Sequence, residues 1–495
     1  MKKNLKIIIS CTAAMCIFTC LSACSGKKAQ TDKSVLLNPS TPVTVDIWNY
    51  YNGDQKAAFD NLVSEFNDTV GLEKGIIVNS TSQSNISTLA DELLDSANGK
   101  AGSHDMPNIA AIYPETVYIL YNKGLVAELD PYFSESELAE YVPSFIEEGR
   151  LVQNGPLVSF PVSKSTEVFV CNKTDWDKFE QATGTTLASA MTIEGMVKAA
   201  ETYYNWTDSL TPNICEDGKA LYGRDSLANY IYISSAQLGH ELFVPKSDGT
   251  VTVDLDRDTF KTIWDNYYIP YINGYFGSYA SYCSDDAKIG SILAMTGSSS
   301  GLSYFPTAVT LSDDTSHNID VVIDKPIMFE NKVKNVAVQQ GAGYCVLKST
   351  EQEEYASVEF LKWFTSQKQN LDFSIKAGYS PVKTASNAPD LIKEMLNSAN
   401  PSAKQINILN SLLVSSDIYN TWETYSCKPF DGSKDVRSYL EESFDEICKN
   451  DRKAVIEKVN SGMTRQAAVG SFSTNEYFNA WFDAISTQVN NIVAK

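Results

Sequence analysis

The sequence predicts an α/β protein of two lobes, and three observations predict it. From Val43 onward, strand-like runs alternate with amphipathic helical stretches, the order that builds a parallel sheet with helices on both faces. Once a leader-like first 24 residues is set aside, about 470 residues remain, more than one small domain needs and natural for two. The composition, 43% apolar and 11% aromatic, suffices for large buried cores.

In chain order, Lys2, Lys3 and Lys6 form a basic head before an apolar run from Ile7 to Leu21. The run is shorter than the roughly 20 residues of a spanning helix, and with small residues after it reads as a secretory signal. It ends in Leu21-Ser22-Ala23-Cys24, which resembles the bacterial lipobox. Residues 1–24 are therefore expected to be a lipoprotein signal peptide. Acylated Cys24 becomes the new amino terminus and the membrane anchor, and stable anchoring takes two or more lipid signals. Residues 25–42 are polar, proline-containing and without period, as in a flexible tether.

Val43 to Trp48 alternates as a strand. Gln55 to Asn67 places Phe59, Leu62, Val63 and Phe66 on one helical face. Ile76 to Val78 and Asn108 to Tyr113 are further strands, each followed by a helix, through Leu89, Leu93 and Leu94 and then through Tyr118 and Leu120. Ligands of such sheets bind at the carboxyl ends of strands, so the loops after Trp48, Ser80 and Tyr113 are candidate ligand loops. Two strand-like halves of Leu157–Asn172 flank Ser163-Lys164-Ser165-Thr166, a candidate crossover between lobes. A helical, tyrosine-rich region runs to about Thr310. Ile319 to Ile323 is read as a strand returning the chain to the first lobe. Glu353 to Ser366 is a helix with Ala356, Phe360, Trp363 and Phe364 inward, and Gly378 to Val382 a second crossing. Two tail helices carry Val436, Leu440, Phe444 and Ile447, then Phe478, Trp481, Phe482, Ile485 and Val489. No internal repeat is present.

The net charge of −21, about −24 without Lys2, Lys3 and Lys6, repels phosphate backbones and excludes a nucleic-acid partner. Cys171, Cys215, Cys283, Cys345, Cys427 and Cys448 show no CxxC spacing, and their redox state is left open. His104, His240 and His317 stand far apart, so no metal site is expected. With no phosphate loop and no dinucleotide fingerprint, no cofactor is expected.

Gly297-Ser298-Ser299-Ser300-Gly301 matches the G-x-S-x-G turn of serine hydrolases. The histidine after it, His317, follows Ser299 too closely to leave room for an acid on a separate strand. A loop entering a helix, with N–H and hydroxyl groups free to donate to ligand oxygens, suits the segment better. Trp48, Tyr50, Tyr51, Tyr113, Tyr230, Tyr232, Tyr304, Tyr344 and Tyr379 lie near the candidate loops, and flat rings pack against the apolar faces of sugars.

Several segments, in this order, carry a resemblance to a family. They are Ile47-Trp48 with Gln55–Asn67, Pro161–Lys173 (PVSKSTEVFVCNK), Ala294–Gly301 (AMTGSSSG), Gln340–Ser349 and Gly378-Tyr379-Ser380-Pro381-Val382. Together they resemble the extracellular solute-binding proteins, family 1, which serve ABC importers of sugars and of glycerol-3-phosphate. The resemblance implies a two-lobed periplasmic-binding-protein-like fold of type II, its lobes joined by crossing hinge strands. Lobe 1 would take residues 43–162 and 320–377, and lobe 2 residues 163–319 and 378–495.

It also implies ligand contacts at Ser165, at Ser299 or Ser300, at the Gly341 backbone and at Tyr379. Trp48 and Asn49, at the end of the first strand, are further candidates. Tyr113 stands where relatives often place an acid, with Glu115 two positions on, and Tyr230 lies near a ligand-facing segment. The implied function is a non-enzymatic, monomeric substrate-binding lipoprotein in the cell envelope, outside the cytoplasmic membrane, delivering a saccharide to ABC permease subunits. The alternatives are a glycerol-3-phosphate receptor and a surface hydrolase using Gly297-Ser299-Gly301. The saccharide is preferred because Ser426–Gly432 holds no arginine for a phosphate, only Lys428, and Tyr222–Tyr232 lacks the paired tryptophans of phosphate-binding relatives.

Overall fold

The computed structural model describes residues 33–152, 154–214, 216–246, 250–398 and 400–494. The expected signal segment with Cys24, residues 25–32 of the expected tether, and Cys215 lie outside them. Ser34–Leu36 forms a single 3-10 turn. From Leu37 onward, two four-stranded sheets organise the chain.

The first sheet has the order Gly343–Val346, Ile109–Ile112, Val43–Asn49, Ile76–Ser82. Its last three strands are parallel, and Gly343–Val346 runs antiparallel to Ile109–Ile112. Alternation along Val43–Asn49 sends Val45 and Ile47 into a core with Phe59, Phe66 and Phe360. Trp48 goes to the opposite face, against Leu89, Leu93 and Val117. Helix Gly53–Phe66 buries Phe59, Leu62, Val63 and Phe66 on the face its period predicts. Burying a ring such as Phe59 contributes roughly 1.5–3 kcal/mol. Helix Glu351–Phe364 covers the same core and opens on a capping box between Thr350 and Glu353.

The second sheet has the order Val321–Asp324, Glu167–Asn172, Ala294–Ser298, Tyr222–Arg224. Tyr222–Arg224 and Ala294–Ser298 are parallel, so their carboxyl ends lie together. Glu167–Asn172 is buried throughout, with Val168 and Val170 in one core and Phe169 and Cys171 in another. The tail helices Ser433–Asn460 and Asn475–Val493 close this second, tyrosine-rich core.

One expectation is corrected. The strand read at Ile319–Ile323 exists as Val321–Asp324, but it pairs with Glu167–Asn172 in the second sheet, so the chain does not return to the first lobe at residue 320. Packing decides this, because Val321 and Ile323 lie against the cluster of Val168, Val170 and Phe305. The return follows Val336–Val338, where three segments run side by side. Phe160 and Tyr344, Ser165 and Gln340, and Lys164 and Ser380 each exchange both backbone hydrogen bonds, at 2.7–3.1 Å.

Cys171, Cys283, Cys345, Cys427 and Cys448 are free thiols, all buried except half-buried Cys427. Among the described residues no helix is long and apolar enough to cross a membrane. No cluster of three or more His, Cys, Asp or Glu side chains suited to a metal occurs among them.

Candidate functional site

Two of the three parallel strands of the first sheet, Val43–Asn49 and Ile76–Ser82, and both parallel strands of the second have their carboxyl ends at one cavity of about 450 Å³. Tyr50 and Asn52 reach it from the loop after Val43–Asn49, and Ser84 and Asn85 from the loop after Ile76–Ser82. From the second sheet come Asp225 and Ser226 after Tyr222–Arg224, and Ser298 and Ser300 at the end of Ala294–Ser298. Gln340, on a crossing segment, and Glu167 complete the floor, with Tyr282, Tyr304 and Phe305 as aromatic walls. The volume is that of a small-molecule site.

Asn49 fixes the first loop without facing the cavity. It is 1% exposed; its amide oxygen accepts from the Tyr51 N–H at 3.0 Å and its Nδ2 donates to Ser80 Oγ at 2.9 Å. Trp48 is also buried, edge-on to His104. Neither lines the cavity, whereas Tyr50, the next residue along, does. The Tyr50 hydroxyl lies 3.3 Å from that of Tyr379, whose ring stacks on Phe373. Burial pushes the Tyr379 phenol up to about 12, although hydrogen bonds to Tyr50 and Ser300 pull it down, so it stays neutral.

Ser299 and Ser300 divide. Ser299 is fully buried, and its hydroxyl accepts the Thr166 N–H at 3.2 Å while its own N–H donates to Thr166 O at 2.7 Å. It ties the turn Ser299–Ser303 to the crossing segment and does not line the cavity. Ser300 does, 2.9 Å from Ser298 Oγ. The hydrolase alternative fails here. The Ser299 hydroxyl is taken up by a backbone N–H, and His317 bonds both Asp175 oxygens at 3.0 Å.

Tyr230 points into the second core, its hydroxyl donating to Ile263 O at 3.3 Å and its ring against Tyr267. Ser165 is 2% exposed and paired with Gln340 through backbone. Gly341 lines a second cavity of about 80 Å³ that shares Asn229 and Gln340 with the first. Its φ of +100° and the 2.9 Å at which a Cβ would meet Ser163 O require glycine. Tyr113, 41% exposed, lines this smaller cavity with Glu115 and Arg437.

Sequence reasoning missed the polar network under both cavities. Arg224 pairs with Glu167, both nearly fully buried. Asn229 Nδ2 donates to the other Glu167 oxygen at 2.9 Å and to Gln340 Oε1 at 3.3 Å, and Asn229 Oδ1 accepts from Arg437 at 2.8 Å. Burial works against both guanidinium charges, but Glu167 beside Arg224 and Glu115 beside Arg437 outweigh it and hold both arginines above their ordinary range. Burial raises the Asp225 carboxyl, although the Cys283 N–H donates to it at 2.8 Å. The absence of an arginine from Ser426–Gly432 does not keep one out of the cleft. Helix Ser433–Asn460 brings in Arg437 one turn later. Asp225 and Ser226 were legible by the rule that flagged the first-lobe loops, had Tyr222–Arg224 been read as a strand.

A profile of the bacterial extracellular solute-binding protein family matches residues 61–400. Solved structures share the fold at low identity. The cyclic α-maltosyl-1,6-maltose binding protein of Arthrobacter globiformis superposes with a TM-score of 0.63 at 17% identity, covering 91% of this chain and 99% of its own. UgpB of Mycobacterium tuberculosis, in complex with glycerophosphocholine, gives 0.66 at 14%, with the same coverages. An ABC substrate-binding protein of Listeria monocytogenes, in complex with cycloalternan, gives 0.61 at 14%, again covering 91% and 99%. A search of curated proteins by sequence finds no match.

Proposed function

The chain belongs to the bacterial extracellular solute-binding protein family, and we propose that it captures a neutral saccharide between its lobes for delivery to ABC permease subunits. The observation that carries the ligand class is the lining of the 450 Å³ cavity. Tyr50, Tyr282 and Tyr304 offer flat faces to a sugar ring, and Asn52, Asn85, Ser298, Ser300 and Gln340 offer neutral donors and acceptors to its hydroxyls. Among the described residues lining it, the one ammonium, Lys288, is paired with Asp285 at 2.6 Å, which leaves no uncompensated cation there to hold an anion.

A phosphate-bearing ligand is the second reading, and Arg437 beside the smaller cavity favours it. Against it, the Arg437 charge already faces Glu115 and donates to Asn229. Titration calorimetry with malto-oligosaccharides, cyclic glucans, glycerol-3-phosphate and glycerophosphocholine separates the two. Saturable binding of a neutral glucan is expected, with about 2.7 kcal/mol of added stability at 100 times its Kd. Tight binding of the phosphate compounds alone, lost in Arg437→Gln, would reverse the assignment.

The Leu-Ser-Ala-Cys24 sequence supports anchoring of this receptor through lipid on Cys24. Cys24→Ala is expected to leave the detergent phase on fractionation or to stay unprocessed; a mature, detergent-phase variant would refute the anchor.

A further inference from the structure

The segment 428–437, KPFDGSKDVR, carries three cations, and each faces a carboxylate of the first lobe. Lys428 lies 3.3 Å from Glu147, near the crossing segments. Lys434 lies 3.4 Å from Asp91 on helix Ile86–Ala97. Arg437 lies between them in the fold, lining the same two small cavities as Glu115 of helix Pro114–Asn122. The segment itself is rooted in the second lobe, where Phe430 and Val436 are buried among Phe243, Leu440 and Phe444. Asp431 and Asp435, the acids of the same segment, are exposed and make no ion pair among the described residues.

We propose that residues 428–437 form an electrostatic clasp that holds the two lobes together on this side of the cleft before any ligand arrives. The polarity is the argument. The segment's cations, and neither Asp431 nor Asp435, make its ion pairs, and the carboxylates they meet belong to the first lobe. Here the two ion pairs the segment makes among the described residues, Lys428–Glu147 and Lys434–Asp91, both run from a second-lobe cation to a first-lobe carboxylate, and Arg437 lines a cavity with first-lobe Glu115. The amino terminus of helix Ser433–Asn460 adds its positive end to the same side. The segment also lies beyond residues 61–400, the part the family profile matches. Exposed pairs are individually weak, each changing the ratio of closed to open molecules by up to about fivefold. Pairs acting on one motion multiply, and the Arg437 guanidinium lies over the Tyr232 ring, 6.0 Å from its centroid. The clasp acts on the lobes alone, whichever ligand binds.

Small-angle X-ray scattering of the purified protein without ligand reads the motion, because separated lobes raise the radius of gyration. Asp91→Lys replaces attraction by repulsion at a side chain that is 70% exposed, where a substitution costs the fold little. The radius is expected to rise in Asp91→Lys at low ionic strength and to return in Asp91→Lys/Lys434→Asp. In the unmodified protein it is expected to rise with salt, as the screening length falls from about 10 Å at 0.1 M to about 3 Å at 1 M. A radius in the unmodified protein that is flat across that salt range, or an Asp91→Lys radius that the second reversal does not restore, would overturn the clasp.

Discussion

Adjacent serines at the cleft have separate duties. Ser300 faces the cavity, and Ser300→Ala is expected to weaken ligand binding by the ~0.5–1.5 kcal/mol of one neutral hydrogen bond, with little change in melting temperature. Ser299→Ala leaves the buried Thr166 N–H without its side-chain acceptor and is expected to lower stability by roughly 1–3 kcal/mol. Calorimetric titration and thermal unfolding of both variants check the split; the opposite pattern would return Ser299 to the ligand. The serine-rich stretch was legible as a loop at the ends of strands, where the cavity lies, but not which hydroxyl faces in. Strand Ala294–Ser298 gives way to a 3-10 turn at Ser299, so the side-chain direction there depends on a pairing with Thr166, 133 residues away. Arg437 was hidden for a related reason. Its helix starts at Ser433, which turns a residue past the expected arginine position back toward the cleft.

Helices were the most readable elements, since a 3.6-residue period survives in one sequence. Phe59, Leu62, Val63 and Phe66 lie where that period puts them. Short strands were readable as strands but not as neighbours, because Val321–Asp324 carries no mark of the sheet it joins. Caps are local, and one gives a pH prediction. Glu137 closes the capping box of helix Glu135–Leu138 on Ser134 and meets Lys362 at 2.6 Å. Burial raises its carboxyl, but Lys362 and the Ser134 N–H and hydroxyl prevail and bring it down to about 2, from 4.5. A carboxyl depressed in the folded state stabilises fully above its unfolded value and loses that contribution as the pH falls toward 2. Glu137→Gln should therefore be less stable than the unmodified protein at pH 7, with the gap narrowing between about pH 4.5 and 2. Denaturant midpoints across that range are the measurement, and a gap constant with pH would show that the charge of Glu137 contributes nothing.

At the scale of the molecule, the two lobes share three crossing segments, and a buried ion pair fastens them. Lys164, 2% exposed, bonds Glu148 at 2.5 Å and Gly341 O at 2.7 Å; Gln339 Nε2 also reaches Glu148, at 2.6 Å. One crossing segment is thus fixed to a second and to helix Pro143–Glu148 of the first lobe. The crossing was legible from Ser163 to Thr166, but a lysine in a polar tetrapeptide reads as solvated, and only the tertiary arrangement buries it. Removing one partner of such a pair leaves a buried charge alone and costs roughly 3–5 kcal/mol, whereas replacing both by apolar groups costs far less. Lys164→Met is accordingly expected to destabilise strongly, and Lys164→Met/Glu148→Leu to recover much of the loss. Recovery stays incomplete because Gly341 O remains without its ammonium donor, a deficit of about 1–3 kcal/mol. Differential scanning calorimetry of the four proteins closes the cycle. If the double variant melts as low as the sum of the two single losses predicts, Lys164 and Glu148 act independently, and the crossing segments are held by their backbone pairing alone.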